Sequence, residues 1–208
     1  MQILSHRGFW IDPKEKNTDI AFRRSFELGF GTETDVRDLD GELVISHDPA
    51  KHPAMLFEKF LDIYGECNLP LALNIKADGL ANRVNSAMGS RNLGNWFVFD
   101  MSIPDTRHQF SAGNPVFMRS SEFETNIPWF DKASGIWLDA FEGEWYLDGE
   151  LQTILSSGKT VCVVSSELHG RSHASLWHKL ADLTHFDNLM LCTDFPTDAQ
   201  KFFGAVHD

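Results

Sequence analysis

Residues 31–48 read Gly31-Thr32-Glu33-Thr34-Asp35-Val36-Arg37-Asp38-Leu39-Asp40-Gly41-Glu42-Leu43-Val44-Ile45-Ser46-His47-Asp48, and the way this stretch divides decides the fold. Gly31–Val36 is one apolar run. Leu39-Asp40-Gly41-Glu42 carries an Asp-Gly pair, which tolerates positive φ at both central positions and so joins two strands as a hairpin. Leu43–Ser46 is therefore an antiparallel excursion and not a unit of the main sheet. Working outward, further apolar runs lie at Gln2–Ser5, Leu69–Ile75, Trp96–Phe99, Pro115–Met118, Gly135–Leu138, Thr160–Val164 and Leu189–Cys192. Helical periodicity fills the gaps. Thr18–Leu28 puts Ile20, Ala21, Phe22, Phe26 and Leu28 on one stripe, Met55–Tyr64 does so with Leu56, Phe60, Leu61 and Ile63, and Leu147–Leu155 and Ser175–Leu183 follow. Asn17 or Thr18, Ser175 and Thr197 are the expected N-caps, and Gly29 and Gly158 the expected stops. Ser120–Ser134, which contains Pro128, has no helical period and reads as a loop or a single turn.

Apolar strands alternating with helices call for a parallel sheet covered on both faces. With the hairpin set aside, eight strand–helix units remain, and eight favour a closed TIM (β/α)8 barrel over an open doubly wound sheet. The expectation is an α/β chain, residues 1–208 as one barrel domain, with a β-hairpin extension after the second strand. At 208 residues, 42% hydrophobic and 23% charged, the composition excludes disorder and collagen-like repeats. A net charge of -12 argues against nucleic-acid and anionic-membrane partners. No run approaches the ~20 apolar residues that a membrane span needs. Cys67, Cys162 and Cys192 are odd in number and form no CxxC pair. Buried reduced thiols are expected for the two inside apolar runs, and with Met1-Gln2-Ile3-Leu4 meeting His6-Arg7 at once, a cytoplasmic location is expected.

Many of the runs end in a polar or charged residue: His6-Arg7, His47-Asp48, Asn74 with Lys76, Asp100, Arg119, Asp139, and Ser165-Ser166-Glu167. In a parallel barrel such positions gather at the C-terminal rim, where active sites lie. Glu33 and Asp35 are two apart on a strand and so share a side. Two carboxylates on one side need a cation, a proton or basic partners, and hard oxygen donors suit Mg²⁺ or Ca²⁺. Asn74 adds an amide oxygen, and Lys76 lies on the same side of its own strand. His6 and His47 each follow a strand. Imidazole titrates near working pH, so two histidines suit proton transfer in phosphodiester cleavage, one as base and one as acid. Arg7, Lys76 and Arg119 suit the anionic phosphate. The other histidines, at 52, 108, 169, 173, 178, 185 and 207, read as surface or packing residues. Most aromatics near the rim loops read as packing, with Trp137 or Trp145 the expected ligand contact.

His6-Arg7-Gly8, Asn17-Thr18 with Ala21-Phe22, Gly29, Glu33-Thr34-Asp35-Val36, Asp40-Gly41 with Leu43-Val44, and His47-Asp48 resemble the glycerophosphodiester phosphodiesterase family. The likeness continues at Leu73-Asn74-Ile75-Lys76 and at Cys192-Thr193-Asp194-Phe195-Pro196, and so spans nearly the whole chain. It implies a TIM barrel, a divalent metal and hydrolysis of a small phosphodiester. It places acid/base roles on His6 and His47, phosphate binding on Arg7, and metal ligation on Glu33 and Asp35. The family has Glu where this chain has Asn74, which removes one charge from the ligand set. It also carries an inserted subdomain after the His-Asp pair, where here Pro49–Ala54 leads almost directly into the next helix.

The sequence therefore predicts a phosphoric diester hydrolase acting on a glycerophosphodiester or similar small molecule, with Mg²⁺ or Ca²⁺ on Glu33, Asp35 and Asn74. Two alternatives stay open. One is a sphingomyelinase D-like lyase that releases a cyclic phosphate. The other, motivated by Asn74, is a catalytically reduced barrel that binds phosphorylated ligands.

Overall fold

The computed structural model describes residues 1–146 and 149–205. The chain divides into two compact units, His6–Val116 and a second made of Met1–Ser5 with Phe117–Asp208.

The His6–Val116 unit begins with the last residue of β1 (Gln2–His6). It continues through α1 (Asp19–Glu27), β2 (Gly31–Leu39), β3 (Glu42–Ile45), β4 (Met55–Leu56) and α2 (Phe57–Tyr64). β5 (Leu71–Ile75), α3 (Ala81–Ser90), β6 (Trp96–Phe99) and α4 (Ile103–Ala112) complete it. Its strands run in the order β4-β3-β2-β5-β6. β2 pairs with β5, and β5 with β6, in parallel. β2–β3 and β3–β4 are antiparallel, as the hairpin reading requires. The turn residues Asp40 and Gly41 have φ of 49° and 85°, the all-positive pair that only an Asp/Asn-Gly turn supplies cheaply. β5 is buried along its whole length, so it reads as continuous apolar sequence, as expected for a parallel strand covered on both faces.

α1 and α2 meet through aromatic rings. Phe22 packs edge-on against Phe60 with centroids 4.7 Å apart, and Phe26 against Tyr64 at 5.3 Å. Two parts of the sequence-derived pattern shift here. Ile20 and Leu28 are about half exposed, and the buried face of α1 is Ala21, Phe22, Ser25 and Phe26. Phe22 and Phe26, four apart, fix that face, and Ile20 falls off it. Met55 and Leu56 pair with β3 before the helix starts at Phe57, which leaves Leu56 facing outward. Gly29 stops α1 as expected, with φ +78° just past the last turn.

In the other unit, β1 is followed by β7 (Phe117–Ser120), β8 (Gly135–Leu138), α5 (Glu150–Ser156) and β9 (Thr160–Val164). α6 (Ala174–Ala181), β10 (Leu189–Thr193) and α7 (Pro196–Gly204) follow. The strand order is β1-β10-β9-β8-β7, parallel throughout. Among the described residues no helix lies between β7 and β8, in line with the missing periodicity of Ser120–Ser134. Of the helix expected over 147–155, Leu147 and Asp148 lie outside the described residues, as does His207. Two expected caps are displaced inward. Ser175 sits within α6, whose cap is His173, and Thr197 within α7, whose cap is Phe195 with Pro196 starting the helix. Cys162 and Cys192 are buried, Cys67 is exposed, and none of the three is in a disulfide. Among the described residues no helix is long and apolar enough to cross a membrane.

Candidate functional site

The strand ends of the His6–Val116 unit bring together most of the residues that the sequence singles out. Glu33 and Asp35 project from the same side of β2 and are buried, at 2% and 0% exposure. Their neighbour on β5 follows from the register, which sets Asp35 opposite Asn74. Asn74 is itself buried. Lys76 extends the ladder by donating its amide to the Val36 carbonyl.

A carboxylate cannot be buried unpaired without a cost of several kcal/mol, and the chain answers this for Asp35 with three side chains. Arg7 Nε lies 3.2 Å from Asp35 Oδ2. Asn17 Nδ2 donates to the same oxygen at 2.8 Å, and the Thr34 hydroxyl fixes that amide by donating to its Oδ1 at 2.9 Å. Lys76 Nζ lies 3.5 Å from Asp35 Oδ1 and 3.8 Å from Asp100 Oδ2. Three of these residues hold left-handed backbone: Arg7, Asn17 and Asp100, with φ of 59°, 60° and 70°. Each costs about 1–3 kcal/mol where glycine is absent, and such strain concentrates at functional sites. The arrangement at Arg7 is explicit. Its amide donates to both the backbone carbonyl and the carboxylate of Glu33, at 2.9 and 3.2 Å, while its carbonyl accepts from Asn17 N at 2.9 Å. Gly8 follows with φ +81° and lies so close to α1 that a Cβ there would sit 2.9 Å from Ala21 atoms.

Glu33 lies in the same buried setting beside Asp35, with the Arg7 amide on its carboxylate. Burial, and then the charge of Asp35, push its carboxyl up to about 8, against the opposing pull of Arg7 and Lys76. It therefore carries a proton at neutral pH. His6 Nε2 lies 3.9 Å from Glu33 Oε2. His47 is more exposed. Its Nδ1 meets the Asp48 carboxylate at 2.8 Å, and its carbonyl accepts from Arg37 Nε at 3.1 Å. A carboxylate only accepts, so in this bond the His47 ring donates from Nδ1.

Whether these residues fit a divalent cation is tested by two buried atoms. Asn74 Oδ1 and Asp35 Oδ1 are both enclosed, and neither accepts a hydrogen bond. Buried oxygens that accept no hydrogen bond are costly and suit a hard cation, although Lys76 already lies 3.5 Å from Asp35 Oδ1. Glu33, on the same side of β2 as Asp35, would be the third oxygen donor. The donor set fits Mg²⁺ or Ca²⁺, with the weakness that one donor is a neutral amide. Among the described residues no group of three or more His, Cys, Asp or Glu side chains has metal-holding geometry.

Arg119 belongs to the other unit, where Glu124 holds its guanidinium and the Phe141 ring lies 5.9 Å away. The same unit carries a polar cluster only partly anticipated. His169 Nε2 meets Asp139 Oδ1 at 2.7 Å and packs on Phe141 at 4.9 Å. Glu144 accepts from Ser166 and Arg171 at 2.6 and 2.7 Å. Asp139 and Ser165-Ser166-Glu167 end strands and so could be picked out in sequence. His169 ends the short 3-10 helix Ser166–His169 and so does not stand at a strand end; its spacing from His173 reads as a surface or packing pattern. Trp137 is buried within β8, and Trp145 donates its indole N–H to the Asp139 carbonyl at 2.8 Å.

No family model and no curated protein matches the chain. Solved structures do. The chain is similar to a glycerophosphodiester phosphodiesterase from Agrobacterium tumefaciens str. C58, with a TM-score of 0.73 and 16% identity over 100% of this chain and 99% of that one. It is similar to an Oleispira antarctica phosphodiesterase in complex with the product sn-glycerol-3-phosphate, with a TM-score of 0.66 and 13% identity over 98% and 97%. It is similar also to a Ca²⁺-dependent phosphatidylinositol-specific phospholipase C from Streptomyces antibioticus, with a TM-score of 0.56 and 9% identity over 96% and 95%. At these identities the likeness establishes the fold class, which is that of the TIM-barrel enzymes.

Proposed function

We propose that this chain is a phosphoric diester hydrolase acting on a glycerophosphodiester or a similar small phosphodiester. The observation that carries the reading is the buried Glu33–Asp35 pair, gripped by Arg7 and Lys76, with His6 beside it. Supporting it are the motif resemblance around these residues and the full-length likeness to phosphodiesterase structures.

In this reading Arg7 and Lys76 bind the phosphate oxygens, their cations already held in place by Asp35. His6 and His47 move protons: one takes the proton of the attacking hydroxyl, and the other gives one to the leaving alcohol. Asp48 orients His47, so that proton moves through Nε2. Glu33, Asp35 and Asn74 would hold Mg²⁺ or Ca²⁺, and the bound cation would offset charge developing on the phosphate oxygens. A cytoplasmic location, suggested by the cysteine usage, completes the proposal.

The test is turnover of a generic diester with Mg²⁺ or Ca²⁺ by the wild type and by His6→Ala and His47→Ala. Each variant is expected to lose about 10²–10⁴-fold in rate while staying folded. Near-normal turnover by both would end the proposal. ³¹P NMR of the product separates hydrolysis from cyclic-phosphate release. Asn74 favours one further reading, a barrel that binds phosphorylated ligands without cleaving them. Ligand binding with no turnover under either cation would establish it.

A further inference from the structure

Beside Arg7 and His47 the His6–Val116 unit opens a cleft of about 430 Å³. Its walls come from residues 16–18, which lead into α1, and residues 45–55, which connect β3 to β4. Its charged lining is uneven. Arg7, Lys16 and Lys51 line it together with His47. Asp48 is the one carboxylate among the lining residues, and it is engaged by His47 at 2.8 Å. Lys16 is held over the Trp10 ring with Nζ 4.4 Å from its centroid, which steadies the ammonium at the cleft edge. The floor is apolar, formed by Ile45, Ala54 and Met55. The chain as a whole carries a charge of -12, so a concave surface lined by Lys16, Lys51 and Arg7, the last already paired with Asp35, runs against the background. A cleft lined by one sign of charge concentrates ligands of the other.

We infer that this cleft receives the alcohol side of the diester and selects an alcohol bearing a second anionic group, a carboxylate or a phosphomonoester, through Lys16 and Lys51. The inference rests on the hydrolase reading above and narrows its substrate class. Arg7 belongs to the reacting phosphate, and Asp35 already takes its Nε. Lys16 and Lys51 have no part in that machinery. Their cations serve a charge beyond the phosphate, while the apolar floor takes the carbon skeleton between the two.

Four diesters of glycerol phosphate test the assignment. The second alcohol is choline (cationic), glycerol (neutral), glycerate (carboxylate) or inositol 4-phosphate (phosphomonoester). Affinity is read by calorimetric titration of the His6→Ala chain, and turnover by the wild type. The anionic diesters are expected to bind roughly tenfold tighter than the neutral one, the scale of two half-exposed ion pairs. The choline diester is expected to bind weakest. Lys16→Gln/Lys51→Gln should abolish that order, with the anionic diesters losing more affinity than the neutral one. Which anionic diester leads distinguishes a carboxylate from a phosphomonoester. Equal affinities across the four, or an order unchanged in the double variant, would overturn the inference. Failure of the wild type to turn over any diester, with the charge order of affinities intact, would count against the hydrolase reading alone and leave the cleft assignment standing.

Discussion

Glu33→Gln isolates the least comfortable group in the site. The glutamine keeps an oxygen for the Arg7 amide, which now donates to Glu33 Oε2 at 3.2 Å, and it removes the titration. The wild-type carboxyl is pushed from 4.5 to about 8, first by burial and then by the Asp35 charge. Raised in the folded state, it contributes stability that is fully present below its unfolded pKa. That contribution is lost as pH climbs through the folded value, because the folded chain then holds the proton that the unfolded chain has released. One pH unit of displacement corresponds to about 1.4 kcal/mol, so over this window the carboxyl withdraws a few kcal/mol. The variant withdraws nothing. In metal-free buffer, Glu33→Gln should therefore match the wild type near pH 4.5 and pull ahead as pH rises to 8. In thermal melts on a chain of this size the gap should widen by about 3–5 °C per pH unit. Adding Mg²⁺ or Ca²⁺ should close it, since the cation stabilises the wild-type carboxylate and displaces its proton. Melting curves that run parallel from pH 4.5 to 8 would refute the placement of a protonated, buried Glu33.

Three further substitutions probe the supports of the site. Asn74→Glu restores a third carboxylate opposite Asp35 and should tighten Ca²⁺ binding in calorimetry by roughly tenfold or more, since ligand charge tunes such sites; unchanged affinity would remove Asn74 from the donor set. Gly8→Ala places a Cβ 2.9 Å from Ala21 at φ +81° and should cost about 1–3 kcal/mol in urea unfolding, with the Arg7 loop displaced. Asp100→Gly should relieve the left-handed strain and raise stability by up to about 1 kcal/mol, yet weaken phosphate binding by freeing Lys76. Asp100→Asn keeps the backbone and loses only the charge, so it should weaken phosphate binding with little change in stability. If both variants bind phosphate like the wild type, Asp100 does not position Lys76.

The parts of this fold legible in sequence are those governed by local rules. Asp40-Gly41 announces its own turn, and the unbroken apolar run of β5 announces burial on both faces. Glu33 and Asp35 can be paired from the period of two alone. What was not legible depends on contacts across the chain. Ile20 and Ala21 are adjacent and both apolar, and only the ring of Phe60 against Phe22 decides which of them faces the core. Asn17 looks like a helix cap, but its amide is drawn away to Asp35, and Thr18 becomes the cap residue. His169 meets Asp139 across a sequence separation of 30 residues, which no spacing rule anticipates.

The same distinction explains how a chain of charge -12 can hold an anionic ligand. Net charge sets the distant field, screened within about 8–10 Å at ordinary ionic strength. Binding is decided inside that range, where burial alters the count. Burial and the Asp35 charge favour the protonated form of Glu33, which leaves Asp35 and Asp100 facing the cations of Lys76 and Arg7. A glutamate in place of Asn74 would tip this balance to negative and require the cation before phosphate could approach. With asparagine the balance holds without it, and an incoming phosphate meets two positioned cations over a neutral floor. The exchange at 74 thus trades metal affinity for a site that is electrostatically ready for an anion. Phosphate titrations in chelator, comparing wild type with Asn74→Glu, measure that trade directly: the wild type should bind and the variant should need the metal.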